Sequence, residues 1–85
     1  MQTNNLTMWV LQTGSKAFIQ QMFPYNVPKE LYFSGYAHED AINEPDYKFS
    51  DSIHHAMSMP KKEATELKRI LEDEYRDTIF NVIPV

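Results

Sequence analysis

The chain has 85 residues, 42% of them apolar and 24% charged, with a formal net charge of −4 and no cysteine. That length supports one hydrophobic core and not two, and the composition is that of a globular domain, so a single domain over residues 1–85 is expected. Without cysteine there is no disulfide framework, thiolate nucleophile or cysteine-ligated metal, and an acidic chain is poorly suited to binding a phosphate backbone directly.

Residues 1–5 carry no basic or apolar leader pattern, and no apolar run approaches the ~20 residues of a membrane span, so a cytoplasmic protein with no membrane segment is expected. Residues 6–12 and 17–23 are two apolar-rich runs on either side of Thr13-Gly14-Ser15-Lys16. Gly14-Ser15 suits a two-residue turn with the glycine at positive φ, which predicts a β-hairpin pairing Leu11 with Phe18 and Val10 with Ile19. Such a hairpin is apolar on both faces, with Met8, Val10 and Ile19 on one and Trp9, Leu11, Phe18 and Met22 on the other. One helix covers one face only. The second face would need the middle segment, a partner or a second copy, most simply in a symmetric homodimer.

Pro24 and Pro28 make residues 23–30 an extended connector. Leu31-Tyr32-Phe33-Ser34 reads as a short strand ended by Gly35, residues 37–46 as a polar loop, and Tyr47-Lys48-Phe49 as extended. Asp51 or Ser52 is placed to cap a turn through Ile53-His54-His55, ahead of a short strand at 56–59. From Pro60 to about Tyr75, Ala64, Leu67, Leu71 and Tyr75 recur at spacings of three and four and predict the principal helix, with Ser58 as the favoured cap. Its outer face pairs Lys62 with Glu66, Lys68 with Glu72, Arg69 with Asp73 and Glu72 with Arg76 at four-residue spacing, each contributing only ~0.2–0.5 kcal/mol, which marks a solvated face. The β-branched run of residues 78–85 predicts a closing strand with Pro84 at its end or on a sheet edge. The expected fold is therefore α+β: a small antiparallel sheet, built from the N-terminal hairpin and the C-terminal strand, packed against one main helix.

Phe49-Ser50-Asp51-Ser52-Ile53, Ala56-Met57, Lys61-Lys62-Glu63-Ala64 and Phe80-Asn81-Val82-Ile83-Pro84-Val85, together with Trp9-Val10, resemble a pattern in small phage and prophage proteins of Gram-positive bacteria. The resemblance spans most of the chain apart from residues 24–46. It implies a phage setting, and hence the host cytoplasm, and it transfers no catalytic residue.

Three constellations carry chemistry. His38, Glu39, Asp40, His54 and His55 are of metal-ligand type, but adjacent His54 and His55 diverge on a strand or turn, so surface histidines beside a capped turn are the favoured reading and no metal is expected. Asp51, Ser52 and His54 are hydrolase residue types without a strained nucleophile elbow or an oxyanion hole, so a structural cap is favoured over catalysis. The third is charge. Residues 31–59 hold Glu39, Asp40, Glu44, Asp46 and Asp51 against Lys48 alone, with Tyr25, Tyr32, Phe33, Tyr36 and Tyr47 as aromatic neighbours. Carboxylates can steer a basic partner while aromatic rings anchor it, although a solvated loop whose tyrosines cover a small core has the same composition. The expectation is a non-enzymatic, cofactor-free binding protein that inhibits a host protein, such as a defence nuclease or a replication or transcription factor with a basic nucleic-acid-binding surface. The alternative is a structural phage component that oligomerises through Trp9, Leu11, Phe18 and Met22.

Overall fold

Residues 17–23 decide the architecture, because they fold as a helix and not as the return strand of a hairpin. In the computed structural model, which describes residues 7–37 and 46–85, strand β1 (Trp9–Thr13) leads into helix α1 (Lys16–Met22). Strands β2 (Leu31–Tyr36) and β3 (Tyr47–Ser50), helix α2 (Lys61–Glu74) and strand β4 (Asn81–Pro84) follow. The hairpin pairing of Leu11 with Phe18 and of Val10 with Ile19 is thus replaced. Phe18, Ile19, Met22 and Phe23 recur at a spacing that fits one helix stripe as well as a strand, while Ala17, Gln20, Gln21 and Met22 are all favourable in a helix. The glycine with positive φ is Gly35, at 133°, and not Gly14.

The four strands form one antiparallel sheet in the order β3-β2-β1-β4. With α2 as the one main helix packed on it, the fold is a small α+β fold. Strand β4 pairs along β1 from Trp9 opposite Pro84 to Gln12 opposite Asn81, so Pro84 ends an edge strand, where its missing N–H is harmless. Strands β1 and β2 pair only at Thr13–Leu31 and Gln12–Tyr32. Residues 57–59 take up backbone groups beyond that ladder: Trp9 and Met59 exchange N–H···O bonds at 2.8 and 2.9 Å, and the Met57 N–H donates to the Phe33 carbonyl at 2.8 Å. The stretch expected as a short strand is therefore a bridge between β1 and β2.

A single core lies between the sheet and the two helices. Leu11, Leu31, Phe33, Ala64, Leu71 and Phe80 are fully buried there, with Phe18 and Ile19 of α1 beside them. Phe18 sits 5.1 Å from Phe49, 4.9 Å from Tyr75 and 5.8 Å from Phe80 between ring centroids, in edge-on or tilted arrangements favoured by the ring quadrupoles. Leu11 and Phe18, two of the four side chains expected to form an oligomer face, are buried in this core, and the other two, Trp9 and Met22, pack partly buried against it.

The stripe of α2 is as expected, with Ala64, Leu67 and Leu71 buried and Tyr75 packed at its end. Its start differs. Pro60 is the N-cap, no side chain caps the helix, and Ser58 lies exposed two residues too early. Pro60 supplies extended backbone ahead of the first turn, and its carbonyl accepts from the Ala64 N–H at 3.0 Å. Ser52 does cap the turn Ile53–His55, accepting from the His54 N–H at 3.2 Å.

Two polar contacts hold the entry to β4, at Ile79 and Phe80, in place. The Thr13 hydroxyl, fully buried, donates to the Ile79 carbonyl at 2.8 Å and accepts from the Ser15 N–H at 3.2 Å, which holds the β1–α1 turn against the entry to β4. One carboxylate oxygen of Glu72 accepts from both Lys68 Nζ and the Phe80 N–H, each at 2.8 Å. Burial alone would push the Glu72 carboxyl up, but the Lys68 ammonium and the Phe80 N–H together hold it below the usual carboxylate range. A folded pKa below the unfolded one contributes stability that is present above the unfolded value and lost as pH falls through the folded value. Glu72→Gln keeps an acceptor for Phe80 but removes the charge, so it should flatten the acid limb of the stability profile. Glu72→Ala leaves the Phe80 N–H without its partner and should cost about 1–3 kcal/mol at neutral pH. Urea denaturation from neutral pH to about pH 3 tests both; identical acid limbs for wild type and Glu72→Gln would exclude the carboxylate as a contributor.

Candidate partner-binding cleft

A one-residue irregularity in β2 brings an exposed ring to a cleft with exposed aliphatic walls. Phe33 pairs with Phe49 and Tyr36 with Tyr47, but Gly35 lies opposite Lys48, so β2 contains one residue more than β3 over this stretch. In a regular strand, residues three apart face opposite sides of the sheet. The bulge restores Tyr36 to the side of Phe33, and their rings meet edge-on at 5.4 Å. Gly35 makes this possible, because φ of 133° is a backbone region that side-chain-bearing residues rarely adopt. At the end of the pair, the Ala37 N–H donates to the Asp46 carbonyl at 2.8 Å and closes the base of the β2–β3 connection.

Next to Tyr36 lies a cleft of about 210 Å³ between the end of β2, residues 57–59 and α2. Met59 and Leu67 form its buried floor, and Tyr36, Met57 and Ile70 form its walls with 50%, 41% and 51% of their surface exposed. Glu63 and Glu66 stand exposed at its rim, and among the described residues no basic side chain lines it. Single exposed apolar residues are ordinary on a protein surface; three around one depression are not.

The charges of α2 are segregated by flank. On the side of β4, Lys68 pairs with Glu72, and Lys61 lies over the Trp9 ring with its ammonium 5.0 Å from the centroid. On the side of β2 and β3, Glu63, Ile70 and Glu74 follow one another up the helix, with Glu66 just outside them. Tyr47 and Tyr75 register this negative surrounding. Burial raises both phenols first, then Tyr36 and Glu74 act on Tyr47, while Glu74, Tyr47 and Asp46 act on Tyr75. Both hydroxyls therefore stay protonated at neutral pH.

Among the described residues, the structure brings Tyr36, Tyr47 and Asp46 of the expected surface together and places Tyr32 on the other face of the sheet. Tyr36 and Tyr47 are cross-strand neighbours with rings 5.8 Å apart, and exposed Asp46 follows at the base of the connection. Tyr32 is elsewhere: it is 92% buried on the reverse face of the sheet, where burial and the adjacent Glu30 carboxylate raise its phenol. That face carries a polar ladder in which Asn81 donates to Gln12 at 2.9 Å and Gln12 donates to Glu30 at 2.6 Å. Asp51 is exposed beyond β3 at the start of the capped turn, away from the cleft-lining residues. Glu39, Asp40 and Glu44 lie outside the described residues, as does His38. Met57, Ile70, Glu63 and Glu66 were not singled out by sequence reasoning. Ile70 carried a signal, since it is an aliphatic residue off the buried stripe on an otherwise polar helix surface.

Among the described residues no group of three or more His, Asp or Glu is placed to hold a metal ion, and no helix is long and apolar enough to cross a membrane. His55 Nδ1 lies 3.3 Å from the Ser50 hydroxyl, in the turn that Ser52 caps. The chain matches no protein-family model, and neither curated proteins nor solved structures include a significant match to it.

Proposed function

We propose that this chain is a non-catalytic binding protein that covers a basic surface of another protein and thereby inhibits it. The observation that carries this reading is the convergence of Tyr36, Met57 and Ile70 on one cleft whose rim is formed by Glu63 and Glu66. Aromatic and aliphatic side chains supply contact energy when they are desolvated, while carboxylates around them steer a cationic partner and reject anionic ones. In sequence, Glu39, Asp40, Glu44 and Asp46 fall between Tyr36 and Tyr47, and their carboxylates add to the negative charge of the chain. A host protein that handles nucleic acid has the complementary basic surface, and the sequence resemblance supplies the phage setting for such an inhibitor.

Affinity capture from a bacterial lysate provides the partner, and surface-binding kinetics test the mechanism. Replacing Glu39, Asp40, Glu44 and Asp46 together by Asn and Gln should slow association, and added salt should slow the wild type likewise, because ions screen exposed charges over about 8–10 Å. Tyr36→Ala should instead raise the dissociation rate, as loss of an anchor does. Unchanged association rates without salt dependence would refute electrostatic capture.

A further inference from the structure

We infer that the cleft receives one large apolar side chain, a leucine, methionine or aromatic residue, from a peptide segment of the partner in which Lys or Arg flanks that anchor. This rests on the binding-protein reading above and specifies what the partner must present. The volume selects the class of occupant. About 210 Å³ exceeds the cavity of about 150 Å³ that holds a benzene ring but falls short of the roughly 300–1,000 Å³ of small-molecule and cofactor sites. It is therefore the size for one side chain. The lining selects its chemistry: Met57 and Met59 present unbranched, polarizable thioethers that adapt to different apolar shapes, and Tyr36 and Ile70 close the sides.

The rim selects the neighbours. Glu63 and Glu66 lie three residues apart on α2 and so stand on adjacent turns above the apolar floor, where carboxylates can pair with cations on either side of an inserted anchor. The charged side chains that line the cleft among the described residues are both carboxylates, so an acidic or phosphorylated segment would bring like charges together. The same field disfavours a second copy of this chain, which has a net charge of −4, and an anionic membrane surface. A basic peptide segment with an apolar anchor is the occupant that satisfies both volume and charge.

The test is selection from a random peptide display library on the full chain, followed by fluorescence anisotropy of the enriched peptides. Expected is a consensus with one large apolar residue between basic ones. Ile70→Glu should weaken binding by about tenfold or more, as loss of an interface anchor does, and replacing the apolar residue of the peptide by Ala should have the same effect. Circular dichroism and urea midpoints confirm that Ile70→Glu folds, and Ile70→Ser, which adds no charge, gives an independent measure of the anchor contact. Enriched peptides without an apolar residue, binding unaffected by either Ile70 variant, or no enrichment at all would overturn the inference. Measuring the captured protein partner with the same variants separates the two levels: salt-dependent association with no Ile70 effect would sink the cleft occupant while leaving electrostatic capture standing, and loss of both would sink the two together.

Discussion

Phe80→Ala should be among the most damaging single substitutions in this chain, costing about 3–5 kcal/mol, since removal of a buried ring loses its transfer energy and leaves a cavity. Phe80 is fully buried, with its ring 5.8 Å from that of Phe18 and stacked 6.0 Å from that of Phe49. It therefore packs the approach to β4 against both α1 and the edge strand β3. A domain of this kind has about 5–15 kcal/mol of stability in total, so the loss would leave a substantial unfolded fraction near physiological temperature. Ile79→Ala, one residue earlier at a side chain 67% exposed, should change stability by no more than about 0.5 kcal/mol. Urea denaturation followed by near-ultraviolet circular dichroism tests the pair. Equal midpoints would mean that the ring cluster is not a packed unit.

Leu71→Ala should cost about 2–5 kcal/mol for the same reason on the opposite wall of the core. Leu71 is fully buried on the central turn of the α2 stripe, between Leu67 and Tyr75. Glu66→Ala, on the same helix at the cleft rim, should stay within about 0.5 kcal/mol, because an exposed carboxylate contributes little to folding. The comparison also separates stability from recognition. Glu66→Ala should slow capture of a basic partner without moving the denaturation midpoint, whereas Leu71→Ala should lower the midpoint. A shift of similar size in both midpoints would place the buried face of α2 incorrectly.

The parts of the fold that could be read from the sequence are those with a strong local period. Helix α2 has fourteen residues, enough for Ala64, Leu67 and Leu71 to define a stripe, and β4 combines β-branched residues with a proline that can sit only at an edge or end. The seven residues of α1 were not enough. Phe18 and Ile19 are adjacent apolar residues, which neither period resolves, and Gly14-Ser15 looked like hairpin punctuation when the turn is in fact held by the Thr13 hydroxyl sixty-six positions from its acceptor at Ile79. The site was partly visible because tyrosines and carboxylates cluster in sequence. Its aliphatic walls were not, since Met57 and Ile70 become neighbours of Tyr36 only after α2 has packed on the sheet. Tyr32 illustrates the converse: near Tyr36 along the chain, it faces the other way.

The bulge at Gly35 makes the candidate surface a property of chain length as much as of side-chain identity. Two chains with this same fold and the same tyrosines, differing by one residue between Phe33 and Tyr36, would present Tyr36 to opposite sides of the sheet. Insertions and deletions in such a hairpin would then act as determinants of recognition, able to retarget or silence a protein while every core position is retained. A comparison scored on substitutions alone would count those two chains as equivalent. The spacing from Phe33 to Tyr36 is the character by which they should be sorted.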